Sequence, residues 1–188
     1  RFESMQTVGQ TKVPKKALEV GTAIGSYMKE YGFNLNFAPV ADVNTNPDNI
    51  VIGDRSFGKE PNLVSKMAAA ELEGLHQAGM MGCIKHFPGH GDTKGDTHNG
   101  FVSIEKSWDE LKACELIPFE AGIAAQTDMV MISHITAAKI TGDQLPASLS
   151  REMMEGKLRK ELHYPGVIIT DSMSMGAITD RYSSGDAA

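Results

Sequence analysis

Two rhythms of apolar positions alternate along the chain. Pro14 to Tyr31 carries apolar residues at Ala17, Leu18, Gly21, Ile24, Tyr27, Met28 and Tyr31, a helical spacing that Thr11 or Thr7 can cap and Gly32 can close. Leu35 to Val43 then reads as a buried strand ending at Asp42. Pro61 to Ala78 is a second helix, with Pro61 in its first turn, a stripe of Leu63, Met67, Leu72 and Leu75, and Gly79 after it. Met81 to His86 predicts the next strand, and Trp108 to Ala125 a third helix capped by Ser107 and kinked at Pro118. Met129 to Ile135 is an almost uninterrupted apolar strand. Ser150 to Leu162 is a helix capped by Ser150, and Val167 to Thr170 a strand ending at Asp171. No internal repeat, linker or low-complexity tract interrupts this order.

Strands that each lead through a loop into a helix predict parallel βαβ units, and continuous apolar strands predict a sheet covered on both faces. Polar residues fall where such folds place their sites. Asp42, Lys85-His86, His134 and Asp171 all sit at the carboxyl ends of their strands. No Gly-x-Gly-x-x-Gly turn and no phosphate-cradling Gly-Lys-Ser/Thr loop is present, which disfavours a nucleotide-binding sheet. The predicted fold class is α/β, a (β/α)8 TIM barrel. A complete barrel takes eight strands and about 250 residues, so this chain supplies an incomplete portion of about four βα units.

Composition narrows the partners. With 188 residues, 41% apolar and 22% charged, the chain suits one globular domain, and its net charge of -6 shows none of the clustered cations of a nucleic-acid-binding surface. Its apolar runs fall far short of the ~20 residues of a membrane span. No stretch reads as a secretory leader, and with Arg1 in first place the compartment is left open. Cys83, in an apolar strand, and Cys114, on a helical pattern, read as small core residues.

The densest chemistry lies in Lys85-His86-Phe87-Pro88-Gly89-His90-Gly91-Asp92-Thr93-Lys94-Gly95-Asp96-Thr97-His98, a strand end running into a glycine-rich loop. Asp96 and His98 share a side in an extended segment, so the carboxylate can bond one ring nitrogen and raise the basicity of the other. That pair reads as a proton shuttle or as an ordinary solvated turn. His86, His90 and Asp92 offer metal-ligand chemistry, but Pro88-Gly89 opposes helical placement of the two histidines. Lys85, directly after an apolar strand, needs a partner: substrate hydroxyls, or a carboxylate such as Asp42. Arg55 either clamps a ligand or pairs with Asp54 or Glu60. His134 lines the mouth or is a satisfied core histidine. Asp171 is a nucleophile, base or metal ligand on one reading and a helix cap on the other, in even balance.

Four segments, in order and spacing, resemble glycoside hydrolase family 3 and within it the β-N-acetylglucosaminidase branch. They are Phe37-Ala38-Pro39-Val40-Ala41-Asp42, Asp54-Arg55-Ser56-Phe57-Gly58, Lys85 to Gly91 with Asp96-Thr97-His98, and Ile169-Thr170-Asp171-Ser172-Met173-Ser174-Met175. The resemblance implies that residues 1–188 are part of the family's N-terminal barrel domain. Asp171 is then the nucleophile, His98 the general acid/base with Asp96 orienting it, and Arg55, Lys85, His86 and Arg1 contacts to sugar hydroxyls. Thr97 stands where the family pattern has serine, and the family's upstream sugar-binding aspartate is not in this sequence. Neither a metal nor an organic cofactor is implied, and the implied partner is a small carbohydrate. The rival expectations are a β-glucosidase of the same family, a metal-dependent amidohydrolase using His86, His90, His98 and Asp171, and an inactive portion. Incomplete barrels must also leave strand edges exposed or pair them with another chain.

Overall fold

The computed structural model describes residues 2–95, 100 and 102–187; Arg1, Asp96, Thr97 and His98, all singled out above, lie outside them. At its centre is a four-stranded sheet of β1 (Leu35–Asn36), β2 (Met81–Phe87), β4 (Met129–Ile132) and β6 (Val167–Thr170), in that order and parallel throughout. Two short strands, β3 (Val102–Ser103) and β5 (Ile135–Thr136), pair in parallel as a separate ribbon. Among the described residues, neither β1 nor β6 has a neighbour on its outer side, so the sheet is open at both edges.

The strand predicted over Leu35 to Val43 is regular only at its start. Beyond Asn36 the chain still follows β2, with the Cys83 amide donating to the Ala38 carbonyl at 2.8 Å and the Ala41 amide to the Lys85 carbonyl at 2.7 Å. Pro39, which has no N–H, cannot continue the ladder. Nor does the single strand over Met129 to Ile135 hold. β4 ends at Ile132, and Ile135–Thr136 turns aside to receive Val102–Ser103 as the chain returns from the glycine-rich loop.

Helices α1 (Met5–Gln10), α2 (Pro14–Glu30) and α3 (Pro61–Gln77) cover one side. Pro14 itself opens α2, so neither Thr7 nor Thr11 caps it with a side chain. α2 and α3 cross closely because glycines meet there. A Cβ on Gly21 would stand 2.2 Å from the Glu71 carbonyl oxygen, and one on Gly74 2.1 Å from that of Leu18. The predicted helix over Trp108 to Ala125 breaks into α4 (Trp108–Lys112) and α5 (Ile117–Ala124). Pro118 sits in the first turn of α5, where its missing N–H costs nothing, so the chain reorients before it and does not kink through it. Ser107 caps α4 as expected, in a reciprocal capping box with Glu110. Glu152–Glu161 is a π-helix, with the Leu162 amide donating to Lys157 five residues back, and Ser150 Oγ accepts from the Met153 amide at 3.3 Å. Its buried residues, Met153 and Leu158, stand five apart, which matches that wider turn.

The main core joins Ile84, Phe87, Val130 and Ile132 of the sheet to Leu111, Leu116, Phe119, Met153 and Leu158 of the helices. Phe87 packs edge-on to Phe119 with ring centroids 5.4 Å apart. Burial on both faces holds for the middle strands β2 and β4 but fails for β6, whose Val167 is 51% exposed, because β6 is an edge. Cys83 and Cys114 are free, and burial pushes the Cys83 thiol up to about 12, as suits a core residue. Among the described residues no helix is long and apolar enough to cross a membrane.

Candidate active site

Every polar group that ends a strand faces the same end of the sheet, and the pairing of residues 38–41 with β2 brings Asp42 beside His86. The Asp42 carboxylate accepts the His86 amide on both oxygens at 3.2 Å, the His90 amide on Oδ1 at 2.7 Å, and faces the His86 ring Nδ1 at 2.7 Å through Oδ2. It is fully buried. Burial alone would raise its pKa, but the facing His86 and His90 hold it below the usual carboxylate value. Of the two partners considered for Lys85, the ion pair with Asp42 is not formed, since this carboxylate is spent on two histidines that follow it by 44 and 48 positions.

Lys85 is half-buried and lines a cavity of about 590 Å³ with Arg55, Asp54, Asn36 and Glu71. Burial first, and then the positive charge of Arg55, push the Lys85 pKa down, while Asp171 opposes them. Arg55 is exposed in a short turn over Gly53–Arg55 and donates from Nη2 to the Val51 carbonyl at 2.7 Å; of its two readings, the ion pair with Asp54 or Glu60 is not formed.

Asp171 follows β6 directly, its amide donating to the Ile132 carbonyl at 2.9 Å. Its Oδ2 stands 4.0 Å from His86 Nε2, with the carboxylate 25% exposed, and its Oδ1 accepts the Ser172 amide at 2.7 Å. The helix-cap reading fails: the next helix, Gly176–Thr179, begins after Met175 and has no side-chain cap. His134 is a satisfied core histidine. It is buried, with Nδ1 bonded to Ser148 Oγ at 2.7 Å and Nε2 donating to the Ser172 carbonyl at 2.9 Å, so it ties the end of β4 to the turn that carries Asp171.

Two described residues of the loop, His90 and Asp92, are also engaged. His90 Nδ1 bonds Thr93 Oγ1 at 2.7 Å, and Asp92 bonds Thr45 at 2.8 Å and Lys106 at 2.9 Å. Among the described residues no three His, Cys, Asp or Glu side chains are grouped to hold a metal. Two buried carboxylates escaped the sequence reading. Glu115 holds Lys106 from beneath the loop and leaves Oε2 unpartnered. Glu71 leaves Oε2 unpartnered too, and burial, eased by Lys85, pushes its pKa up to about 7. Glu71 lies on α3 and Glu115 in the turn between α4 and α5, each beside buried apolar residues, where the available signal was one charge inside an otherwise apolar pattern.

A parallel βα sheet whose carboxylate, ammonium and imidazole groups lie at the carboxyl ends of its strands has the layout of part of a (β/α)8 barrel domain. The glycosyl hydrolase family 3 N terminal domain matches residues 1–188, and the chain belongs to that family. It is 36% identical over 201 residues to beta-hexosaminidase A of Pseudoalteromonas piscicida, covering 99% of this chain and 33% of that protein. To a beta-hexosaminidase of Stenotrophomonas maltophilia it is 39% identical over 154 residues, covering 82% and 45%. Among solved structures, a family 3 beta-N-acetylglucosaminidase from Paenibacillus superposes with a TM-score of 0.95 at 39% identity over 98% of this chain and 35% of that one. The beta-glucoside phosphorylase BglX, bound to 2FGlc, gives 0.91 at 30% identity over 94% and 33%. The chain thus spans between a third and a half of the length of these relatives.

Proposed function

We propose that the protein to which this chain contributes is a retaining exo-glycosidase that removes terminal β-linked N-acetylglucosamine, with residues 1–188 as part of its catalytic barrel domain. The observation that carries the reading is the Asp171 carboxylate 4.0 Å from an imidazole that Asp42 holds, close to Lys85, on whose charge both Asp171 and Arg55 act. Asp171 attacks the anomeric carbon and forms a glycosyl ester while His98 gives its proton to the leaving oxygen; neutral His98 then activates the water that releases the sugar. Asp96 orients His98. His86, Lys85, Arg55 and Arg1 bond the ring hydroxyls, which strengthens the grip as charge develops at C1. Histidine suits this double role because its ordinary pKa of about 6.5 lets it serve as acid and then base near neutrality.

Support for the sugar comes from the beta-hexosaminidase and beta-N-acetylglucosaminidase relatives. A β-glucoside-directed enzyme is the second reading, favoured by the 30% identical beta-glucoside phosphorylase. Release of nitrophenol from nitrophenyl N-acetyl-β-glucosaminide and from the β-glucoside, by the full-length protein, separates the two. Preference for the acetamido sugar supports the first reading, and preference for the glucoside overturns it.

A further inference from the structure

We propose, on the glycosidase reading above, that Lys106 is a positioning residue for proton transfer: it clasps together the two ends of the glycine-rich loop, and proton delivery by His98 depends on that clasp. The loop leaves at Asp92 and returns at Lys106, and Asp96 and His98 lie between them in sequence. Lys106 Nζ stands 2.9 Å from Asp92 Oδ2 and also bonds Glu115 Oε1. One ammonium thus joins the departing chain, the returning chain and the turn between α4 and α5 that carries Glu115. Glu115 is a fixed support. It is 1% exposed, and it packs so closely on Gly89 that a Cβ there would stand 2.8 Å from the Glu115 Cβ. Burial opposes the charge of Asp92, yet hydrogen bonds from Lys106 and Thr45 hold its carboxyl below the usual value.

Each end is also anchored without Lys106. On the departing side, Thr45 donates to Asp92 Oδ1 at 2.8 Å, buried Asn49 to the His90 carbonyl at 2.7 Å, and Asn46 to the Thr93 carbonyl at 2.9 Å. On the returning side, the Ile104 amide donates to the Thr136 carbonyl at 2.9 Å, and Lys139 Nζ to the Glu105 carbonyl at 2.6 Å. These bonds tie the two ends to different parts of the chain, residues 45–49 and 136–139. Lys106 adds the link from one end to the other, and so sets the spacing from which the loop is strung. The Asp92 side chain is 38% exposed, and a pair of that kind adds little to stability. Its loss therefore leaves the fold in place and moves the loop, and a displacement of about 1 Å in a reacting group can cost on the order of a hundredfold in rate.

The test uses the full-length protein and two aryl N-acetyl-β-glucosaminides. A dinitrophenyl group leaves without a proton, whereas a phenyl group needs one from the general acid. Asp92→Asn keeps an acceptor for Thr45 and leaves Lys106 paired with Glu115, but removes the charge that joins the two ends. We expect kcat/KM to fall about tenfold or more on the phenyl substrate and to change less than about twofold on the dinitrophenyl one. Lys106→Met combined with Glu115→Gln, which strands no carboxylate, should show the same split. A merely structural loss would lower both substrates by one factor. Equal losses in Asp92→Asn, or no loss on either substrate, overturn the proposal; if Asp92→Asn does not fold, the paired variant decides by the same criterion. His98→Ala separates the clasp from the mechanism it serves. A split in His98→Ala with none in Asp92→Asn removes the clasp alone. No split in His98→Ala, or no cleavage of either substrate by the unsubstituted protein, removes the glycosidase mechanism and the clasp with it.

Discussion

His86 Nε2 and Asp171 Oδ2 stand 4.0 Å apart, although they leave the sheet from β2 and β6 with all of β4 between them. Both strands end at one level, so side chains 85 positions apart in sequence border a single gap. Such a gap suits the reacting centre of a sugar ring, with the carboxylate below and a fixed imidazole to the side.

Removing that carboxylate should abolish turnover and spare the fold. Asp171 is partly exposed, and among the described residues its side chain bonds the neighbouring Ser172 amide and stands 4.0 Å from His86, so Asp171→Asn loses little packing. We expect kcat for nitrophenyl N-acetyl-β-glucosaminide to fall by at least about a thousandfold, with an unchanged melting temperature.

Glu71 makes stability depend on pH. Its folded pKa, raised to about 7 from 4.5, lies above the unfolded value. The contribution is therefore fully present below pH 4.5 and is lost as pH rises through 7, where a charged carboxylate must stay buried. Glu71→Gln removes this dependence. The melting temperature of the variant relative to the unsubstituted protein should climb between pH 4.5 and 7 and level off above, a difference on the order of 3 kcal/mol. Parallel melting curves of the two proteins across that range would contradict the assignment.

The crossing of α2 and α3 should not tolerate a methyl group. Alanine at position 21 gains up to about 1 kcal/mol of helix propensity. Against this, its Cβ would stand 2.2 Å from the backbone carbonyl of Glu71, which cannot swing aside. Overpacking of this kind costs about 1–3 kcal/mol, so Gly21→Ala should be net destabilising in a denaturant titration.

Lys106 joins Asp92 of the glycine-rich loop to the buried Glu115. Burial works against its charge, but the hydrogen bonds to Glu115 and Asp92 outweigh it and raise the Lys106 pKa. Lys106→Met would strand the Glu115 carboxylate without a partner. The expected cost is about 3 kcal/mol, and Glu115→Gln in the same chain should restore much of it, as a double-mutant cycle would read.

Which parts of this were legible beforehand follows from the range of the interactions. Apolar runs that end in Asp42, Lys85-His86, His134 and Asp171 carry the strand ends in a local pattern, so the barrel class and the face of the site could be read from them. β3 and β5 were not legible, because two-residue strands have no period to detect. Partner choice was not legible either. Lys85 and Asp42 looked complementary by charge, yet the backbone pairing at Ala41 sets Asp42 against the amide and ring of His86. Register decides such contacts, and a single sequence does not show register.

The most direct measurement of the central claim is the site of covalent attachment. The full-length protein would be incubated with a fluorinated N-acetylglucosaminyl inactivator that slows release of the glycosyl-enzyme, then digested and read by mass spectrometry. The account predicts one added sugar, on the peptide containing Asp171 and lost in Asp171→Asn. A sugar attached to another residue, or no attachment in a preparation that turns over substrate, would contradict it.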